Sequence, residues 1–401
     1  FDDDPQASVD AMTPAARIHA AMGLLDAVLG GEPAEKALTT WARRSRFAGS
    51  KDRAAIRDHV FDALRCRRSY AALGGGETGR GLMLGALRAA GRDPGEIFTG
   101  EGHAPAPLTD EEAGLALTES DLPEAVALDC PDWLAPRLRD SLGADFAPVM
   151  QALRKRAPVF LRVNLRRATL AEAQARLAEE EIATAPHPLS DTALEVLENP
   201  RRVQGSAAYQ EGLVELQDAA SQAITDLLPL SDGMKVLDYC AGGGGKTLAM
   251  AGRTEARFHA HDAAPQRMRD LPARAGRAGV QVRLLRGDEL EEEAPFDLVL
   301  CDVPCSGSGA WRRSPEGKWR FSPQDLERLT ATQAAILDRA AALVAPGGCL
   351  AYATCSLLED ENAAQVSAFL ARRPGFTLEA SRRLTPLDGG DGFYGAVLRR
   401  A

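Results

Sequence analysis

The chain has 401 residues, of which 45% are hydrophobic and 26% charged, with a formal net charge of −10. That length allows two or three domains around a large core, and the composition is that of a globular protein rather than a disordered or fibrous one. No apolar run is long enough to span a bilayer as a helix. The acidic start, Phe1-Asp2-Asp3-Asp4-Pro5, shows no secretory pattern and no initiator Met, which reads as a trimmed start. Seven cysteines (66, 130, 240, 301, 305, 349 and 355) form neither a paired framework nor a CxxC, so reduced thiols in a cytoplasm are expected.

A net charge of −10 argues at first against a nucleic-acid partner, but its distribution reverses that reading. Residues 101–129 hold eight acids and no Lys or Arg, whereas 151–170 hold six bases (Arg154, Lys155, Arg156, Arg162, Arg166, Arg167) and no acid. Residues 43–68 carry nine bases against three acids, and 311–320 four against one. Local basic patches, more than the total, attract a phosphate backbone. A solvated helix face is the plain alternative for each cluster.

In chain order, residues 13–90 show helical spacing. Ile18, Met22, Leu25 and Leu29 make one apolar stripe, and Ile56, Val60, Phe61 and Leu64 another. Gly30-Gly31 and Gly74-Gly75-Gly76 punctuate them. The stretch 100–125 reads as a loop or lid, and 131–156 as a further helix pair, giving an all-helical domain over 1–156. From Pro158 the pattern changes: 159–164 reads as a strand, 169–180 as a helix capped by Thr169, and 182–198 as strand-like pieces. This predicts a small α+β connector over 157–212. A helix over 213–228 then opens a last domain, 213–401. There, strands are expected at 234–240, 256–262, 281–288, 296–303, 347–355, 376–382 and 393–399. A helix at 323–343 has Ser322 as N-cap, Pro323 first and Asp325 third. Alternating strands and helices predict a doubly wound α/β fold with a seven-stranded, mostly parallel sheet.

The first of these strands ends in Asp238-Tyr-Cys-Ala-Gly-Gly-Gly-Gly-Lys-Thr247. A glycine-rich strand-to-helix turn lets a ligand approach the backbone and presents amide donors. Three readings compete. A phosphate-binding P-loop is broken by Cys240. The dinucleotide pattern matches only two of its three glycines in register among Gly242, Gly244 and Gly245. The third is the loop under the amino-acid end of S-adenosylmethionine. Asp238, Asp262, Asp288 and Asp302 close four successive strands, as a nucleoside laid across the sheet edge requires, although any one could cap a loop. Cys305 and Cys355 end two further apolar runs, at the carboxyl edge where open α/β folds bind ligands. Two thiols meeting there suggest that one sulfur attacks and a second group breaks the bond. The bland alternative is a pair of small buried hydrophobes.

Residues 213–356 resemble the RsmB/Sun family of RNA (cytosine-5)-methyltransferases. The segments that carry this are LQDAASQ at 216–222, DYCAGGGGKT at 238–247, DVPCSGSG at 302–309, RRSPEGKWR at 312–320 and ATCSL at 353–357. DGFYGAVLRR at 391–400 is similar to the family's closing hairpin, FLRVN at 160–164 to its preceding module, and the helical part to a NusB-like RNA-binding domain. The resemblance implies a class I S-adenosylmethionine-dependent (Rossmann-like) fold. It implies Cys355 as nucleophile on carbon 6 of cytosine, Cys305 in the release step, Asp302 on the base, and Lys246 on the base or on Asp302. It implies a cofactor set of Cys240, Ala241, Gly242, Gly243, Gly244, Gly245, Lys246, Asp262, Arg267, Asp288 and Asp302, with no metal. The partner implied is RNA, by domain order 16S ribosomal RNA, met by a monomer. Trp311 and Trp319 beside their basic neighbours could stack on flanking bases or serve the core. One departure is noted: Gly242 and Gly243 stand where the family usually has Ala and Pro, which predicts a more flexible loop. Rival readings are a DNA cytosine-5 methyltransferase, disfavoured by the TCS motif, and a non-catalytic RNA-binding or ribosome assembly factor on a decayed fold.

Overall fold

Thr13 opens the first helix because its hydroxyl accepts from Ala16 N at 3.1 Å and Pro14 takes the first helical position, where its missing N–H costs nothing. This computed structural model describes residues 11–401, and the acidic start lies outside them. Helices α1 (Pro14–Leu29), α2 (Ala34–Arg44), α3 (Ser50–Arg65), α4 (Arg67–Gly74) and α5 (Gly79–Ala89) follow. The Ile18–Met22–Leu25 and Ile56–Val60–Leu64 stripes merge with Leu82 and Leu84 into one apolar cluster. The stretch 100–125 is largely irregular, with short turns of helix at Asp110–Gly114 and Glu119–Asp121. The predicted pair beyond it appears as Ala135–Leu142 and Phe146–Leu153.

The chain divides into two compact units. One contains residues up to Pro136 together with Met150–Arg156 and Trp311–Trp319; the other contains Arg137–Val149, Ala157–Ala310 and Arg320–Ala401. Within the first, Trp311 is buried, Lys318 Nζ donates to the Arg65 carbonyl at 3.2 Å and Trp319 Nε1 to that of Leu64 at 2.6 Å. Of the two roles open to Trp311, the structure gives it the core one.

In the second unit, β1 (Val159–Val163) is flanked by β3 (Ala193–Val196) and β4 (Val214–Leu216), with β2 (Thr184–Pro186) outside β3. All these pairings are antiparallel. Thr169 caps the helix Leu170–Ala178. The helix expected over 213–228 is shorter. Its first residues form β4 against β1, and Asp218 caps a helix at Ala219–Asp226 by accepting from Ala220 N at 2.8 Å. Apolar spacing in a short run does not separate strand from helix, and here the free edge of β1 decides.

The large sheet has β5 (Lys235–Asp238), β6 (Arg257–Ala260), β7 (Val282–Leu284), β8 (Phe296–Asp302), β9 (Val344–Thr354), β10 (Phe376–Leu384) and β11 (Phe393–Arg400) in the order β10-β11-β9-β8-β5-β6-β7. All neighbours are parallel except β11, which runs antiparallel to both β9 and β10. Alternation along β8 explains its continuous apolarity: Val299 and Cys301 pack with Leu337 and Phe369 on one face, Leu298 and Leu300 with Ile224 and Met250 on the other. Strand order reverses between β5 and β8, which places the crevice at their carboxyl ends.

Candidate functional site

The turn after β5 adopts a shape that only glycine takes without strain. Gly242 has φ +52° and Gly244 φ +87°, and a Cβ on Gly244 would lie 2.1 Å from Leu271 Cδ1. Gly242 N donates to Asp262 Oδ2 at 2.9 Å, and Arg274 donates to the Gly243 carbonyl. These two contacts tie the turn to Asp262 on one side and to Arg274 on the other. Asp262, just past β6, is buried, accepts also from Ala264 N at 2.9 Å, and lies 3.5 Å from Arg267 Nη1. Asp262, Arg267, Cys240, Ala263 and Pro304 line a cleft of ≈ 930 Å³. Tyr239, His261, Ile336 and Arg339 line it too and were not anticipated. Tyr239 and His261 had a usable signal, their places directly before Cys240 and before the strand-end Asp262.

The other strand-end acids separate. β7 stops at Leu284, so Asp288 falls in a 3-10 turn, its side chain exposed beside Arg286 Nε at 3.2 Å; Gly287 faces the cleft instead. Asp238 points inward and accepts from Thr247 Oγ1 at 2.7 Å, while its Oδ1 has no partner. Burial pushes its carboxyl up to about 7.

Asp302 and Ala353 are paired across β8 and β9, so the segments following the two strands leave the sheet side by side. Cys305 and Cys355 meet there with their sulfurs 3.3 Å apart. The hydrogen bond between the sulfurs, followed by burial, pushes the Cys305 thiol well above its ordinary value. Lys246 Nζ donates to Asp302 Oδ2 at 2.8 Å and lies 4.9 Å from the centre of the Phe393 ring. Burial opposes its charge, yet Asp302 outweighs it and holds the ammonium above the usual lysine range. The residues expected to react thus converge: Cys305, Cys355, Asp302 and Lys246 come from three strand ends. Ser306, Ser356 and Glu361, which bind one another behind the sulfurs, were missed. Glu361 sits in the run Leu358-Glu-Asp-Glu-Asn362, where nothing local marks one acid as buried.

The basic clusters resolve unevenly. Arg162 is buried against Gln217 and the Gly245 carbonyl, Arg166 holds the carbonyls of Ala251 and Thr254, and Arg154 pairs with buried Asp129. The charge of these three is used internally, whereas Lys155, Arg156 and Arg167 of the same run stay exposed. In 43–68, Arg43, Arg44, Arg46, Lys51 and Arg53 are exposed, around Phe47 at 59% exposure. Among the described residues no helix is long and apolar enough to cross a membrane, and no His/Cys/Asp/Glu group could hold a metal ion.

A parallel sheet with a closing antiparallel hairpin, a glycine turn after β5 and an acid after β6 defines a class I methyltransferase fold. Residues 225–397 match the family model described as 16S rRNA methyltransferase RsmB/F, and 130–204 match the ferredoxin-like domain of RsmF/B-like methyltransferases. The chain belongs to the RsmB/F family. It is 37% identical over 284 residues to ribosomal RNA small subunit methyltransferase B of Vibrio cholerae serotype O1, covering 67% of this chain and 65% of that protein. To the protein of the same description from Erwinia tasmaniensis it is 36% identical over 283 residues, covering 67% and 66%. The match thus spans slightly less than two thirds of those relatives. Among solved structures, PH0851 matches with a TM-score of 0.77 at 23% identity, over 97% of this chain and 99% of that one. NSun6 from Pyrococcus horikoshii, solved with SFG, matches with 0.60 at 19% identity, over 67% and 98%. These two likenesses concern the fold.

Proposed function

We propose that this protein methylates carbon 5 of a cytosine in ribosomal RNA of the small subunit, using S-adenosylmethionine and a transient bond between Cys355 and the base. The observation that carries this reading is the pair of sulfurs 3.3 Å apart beside a lysine–aspartate pair at the sheet's switch point. The names of the curated relatives supply the substrate class, and a reduced cytoplasm suits free thiols.

The residues fit the cofactor. The turn that ends β5 keeps its tight shape because Gly244 packs against buried Leu271 with no room for a Cβ, and it leads from Cys240, which lines the cleft. Asp262 retains carboxylate lone pairs toward a cleft of ≈ 930 Å³, suited to a ribose diol, with Arg267 beside it. When bound, S-adenosylmethionine supplies an electrophilic methyl group.

Carbon 5 of cytosine is too electron-poor to attack unaided. Addition of the Cys355 thiolate to carbon 6 places an electron pair at carbon 5, which would form the new carbon–carbon bond as the donor's methyl–sulfur bond breaks and leaves its pair on that sulfur. Lys246 meets the negative charge that spreads over the ring toward its nitrogen and carbonyl, while Asp302 accepts from the exocyclic amino group and holds the base. Cys305, adjacent to the adduct, serves the removal of the carbon 5 proton, directly or through water. The carbon–sulfur bond then breaks, restoring the ring double bond and returning the Cys355 thiolate. The base must leave its stack to reach the sulfurs, which favours a loop or opened strand.

Cys355→Ala is expected to abolish both methylation and any RNA adduct. Cys305→Ala is expected to form a denaturant-resistant protein–RNA complex on gel electrophoresis. If the complex forms instead with Cys355→Ala, the two sulfurs exchange roles.

A further inference from the structure

Behind the two sulfurs lies a carboxylate that the mechanism above does not use. Glu361 is fully buried. Its Oε1 accepts from Ser306 N at 2.8 Å and from Gln333 Nε2 at 3.1 Å. Its Oε2 accepts from Ser306 Oγ at 2.6 Å and from the Ser356 hydroxyl. Ser306 directly follows Cys305, and Ser356 directly follows Cys355. No cation sits on this carboxylate in any of these contacts; each partner is a neutral donor. A buried ionised group held only by neutral donors costs more than an apolar residue of the same size would. Core stability alone therefore gives no account of it.

We infer that Glu361 is a positioning residue that clamps the Cys305 and Cys355 loops together and fixes which sulfur attacks. The clamp reaches both loops from one side chain, so the register of the two sulfurs depends on it. Gln333 fixes the carboxylate in turn, because its Nε2 also donates to the Pro304 carbonyl at 2.8 Å, one residue before Cys305. The Tyr352 hydroxyl, on β9, donates to the Glu361 carbonyl and holds the backbone. The negative charge of Glu361 also contributes, after the Cys355 sulfur and burial, to holding the proton on Cys305. Cys355, one residue past β9, is left as the sulfur that adds to the base. The inference rests on the reaction proposed above and assigns its two thiols from the protein side.

Glu361→Gln separates charge from shape. A glutamine oxygen at the Oε1 position keeps both N–H donors, and its amide can donate to the two hydroxyls, which reverse their role. The test is alkylation of the protein by iodoacetamide without RNA, followed by peptide mass spectrometry at each cysteine. In the unaltered protein Cys355 is expected to react at least about tenfold faster than Cys305. In Glu361→Gln that ratio should fall toward one, and methyl transfer should fall in kcat with KM for RNA unchanged. Ser356→Ala, which removes one of the four bonds, should lower the ratio by a smaller factor and serves if Glu361→Gln does not fold. An unchanged ratio in a folded variant overturns the inference. Because this readout needs no RNA, a failure of the cytosine chemistry would show separately, as methylation surviving Cys355→Ala.

Discussion

At the residue scale, position matters more than type. Five cysteines besides the pair proposed to react share their chemistry, but Cys66, Cys130, Cys301 and Cys349 are buried and Cys240 lines the cleft. Only Cys305 and Cys355 are brought to one point, each by the end of its own strand. The lysine–aspartate pair makes a second demand at that point. Lys246→Met would leave the Asp302 carboxylate without its cation, and is expected to lower kcat by about 10²–10³-fold, measured as single-turnover methyl transfer. Asp238 behaves differently, since it touches Thr247 and not the cleft. Its folded-state pKa of about 7 lies above the ordinary 3.8, so the folded chain keeps a proton that the unfolded chain has lost. Stability should therefore decline as pH rises from about 4 to about 7 and level off above that. Asp238→Asn is expected to flatten that slope in a series of thermal melts, and an unchanged slope would place the titration elsewhere.

At the element scale, the turn between β5 and the helix Gly245–Ala251 is sensitive to a single added carbon. Gly244→Ala places a methyl group against Leu271 in a backbone conformation that costs about 1–3 kcal/mol. A lowered melting temperature and weakened S-adenosylmethionine binding by calorimetry are expected together. Much of this was legible beforehand. The strand-end pattern located β5, β6, β8 and β9, and the Ser322–Pro323–Asp325 start located the helix Pro323–Ala341. Two things were not. The run at 213–216 has spacing compatible with either a strand or a helix, and its pairing partner, β1, lies some fifty residues earlier. Asp288 appeared to close a strand that ends four residues before it, at Leu284. Glu361 was illegible for a deeper reason: its burial is fixed by Ser306, fifty-five residues away, and not by its acidic neighbours.

At the scale of the whole molecule, charge is partitioned. Most arginines of the 151–170 run serve internal carbonyls and carboxylates, whereas the turn between α2 and α3 keeps its cations exposed. That turn is itself fixed, by Ala48 N on the Ser45 carbonyl at 3.0 Å and by Gly49 N on Asp52 at 3.1 Å. An ordered turn with unpaired cations around an exposed aromatic suits a nucleic-acid backbone with an unstacked base. Phe47→Ala is expected to weaken RNA binding by about 1–3 kcal/mol, while Arg44→Glu with Arg46→Glu should flatten the dependence of affinity on salt. Filter binding at several salt concentrations checks both, with cofactor affinity as the unchanged control. The net charge of −10 gave no warning of this surface, because a total says nothing about where unpaired cations gather.

All of this depends on which sulfur joins the base. RNA carrying 5-fluorocytosine has no removable proton at carbon 5, so a Cys355 adduct formed during turnover should persist. Digestion and mass spectrometry are expected to find the nucleotide on the peptide containing Cys355, and to find none when that residue is alanine. A nucleotide attached at Cys305, or methylation without any attached nucleotide, would contradict the account.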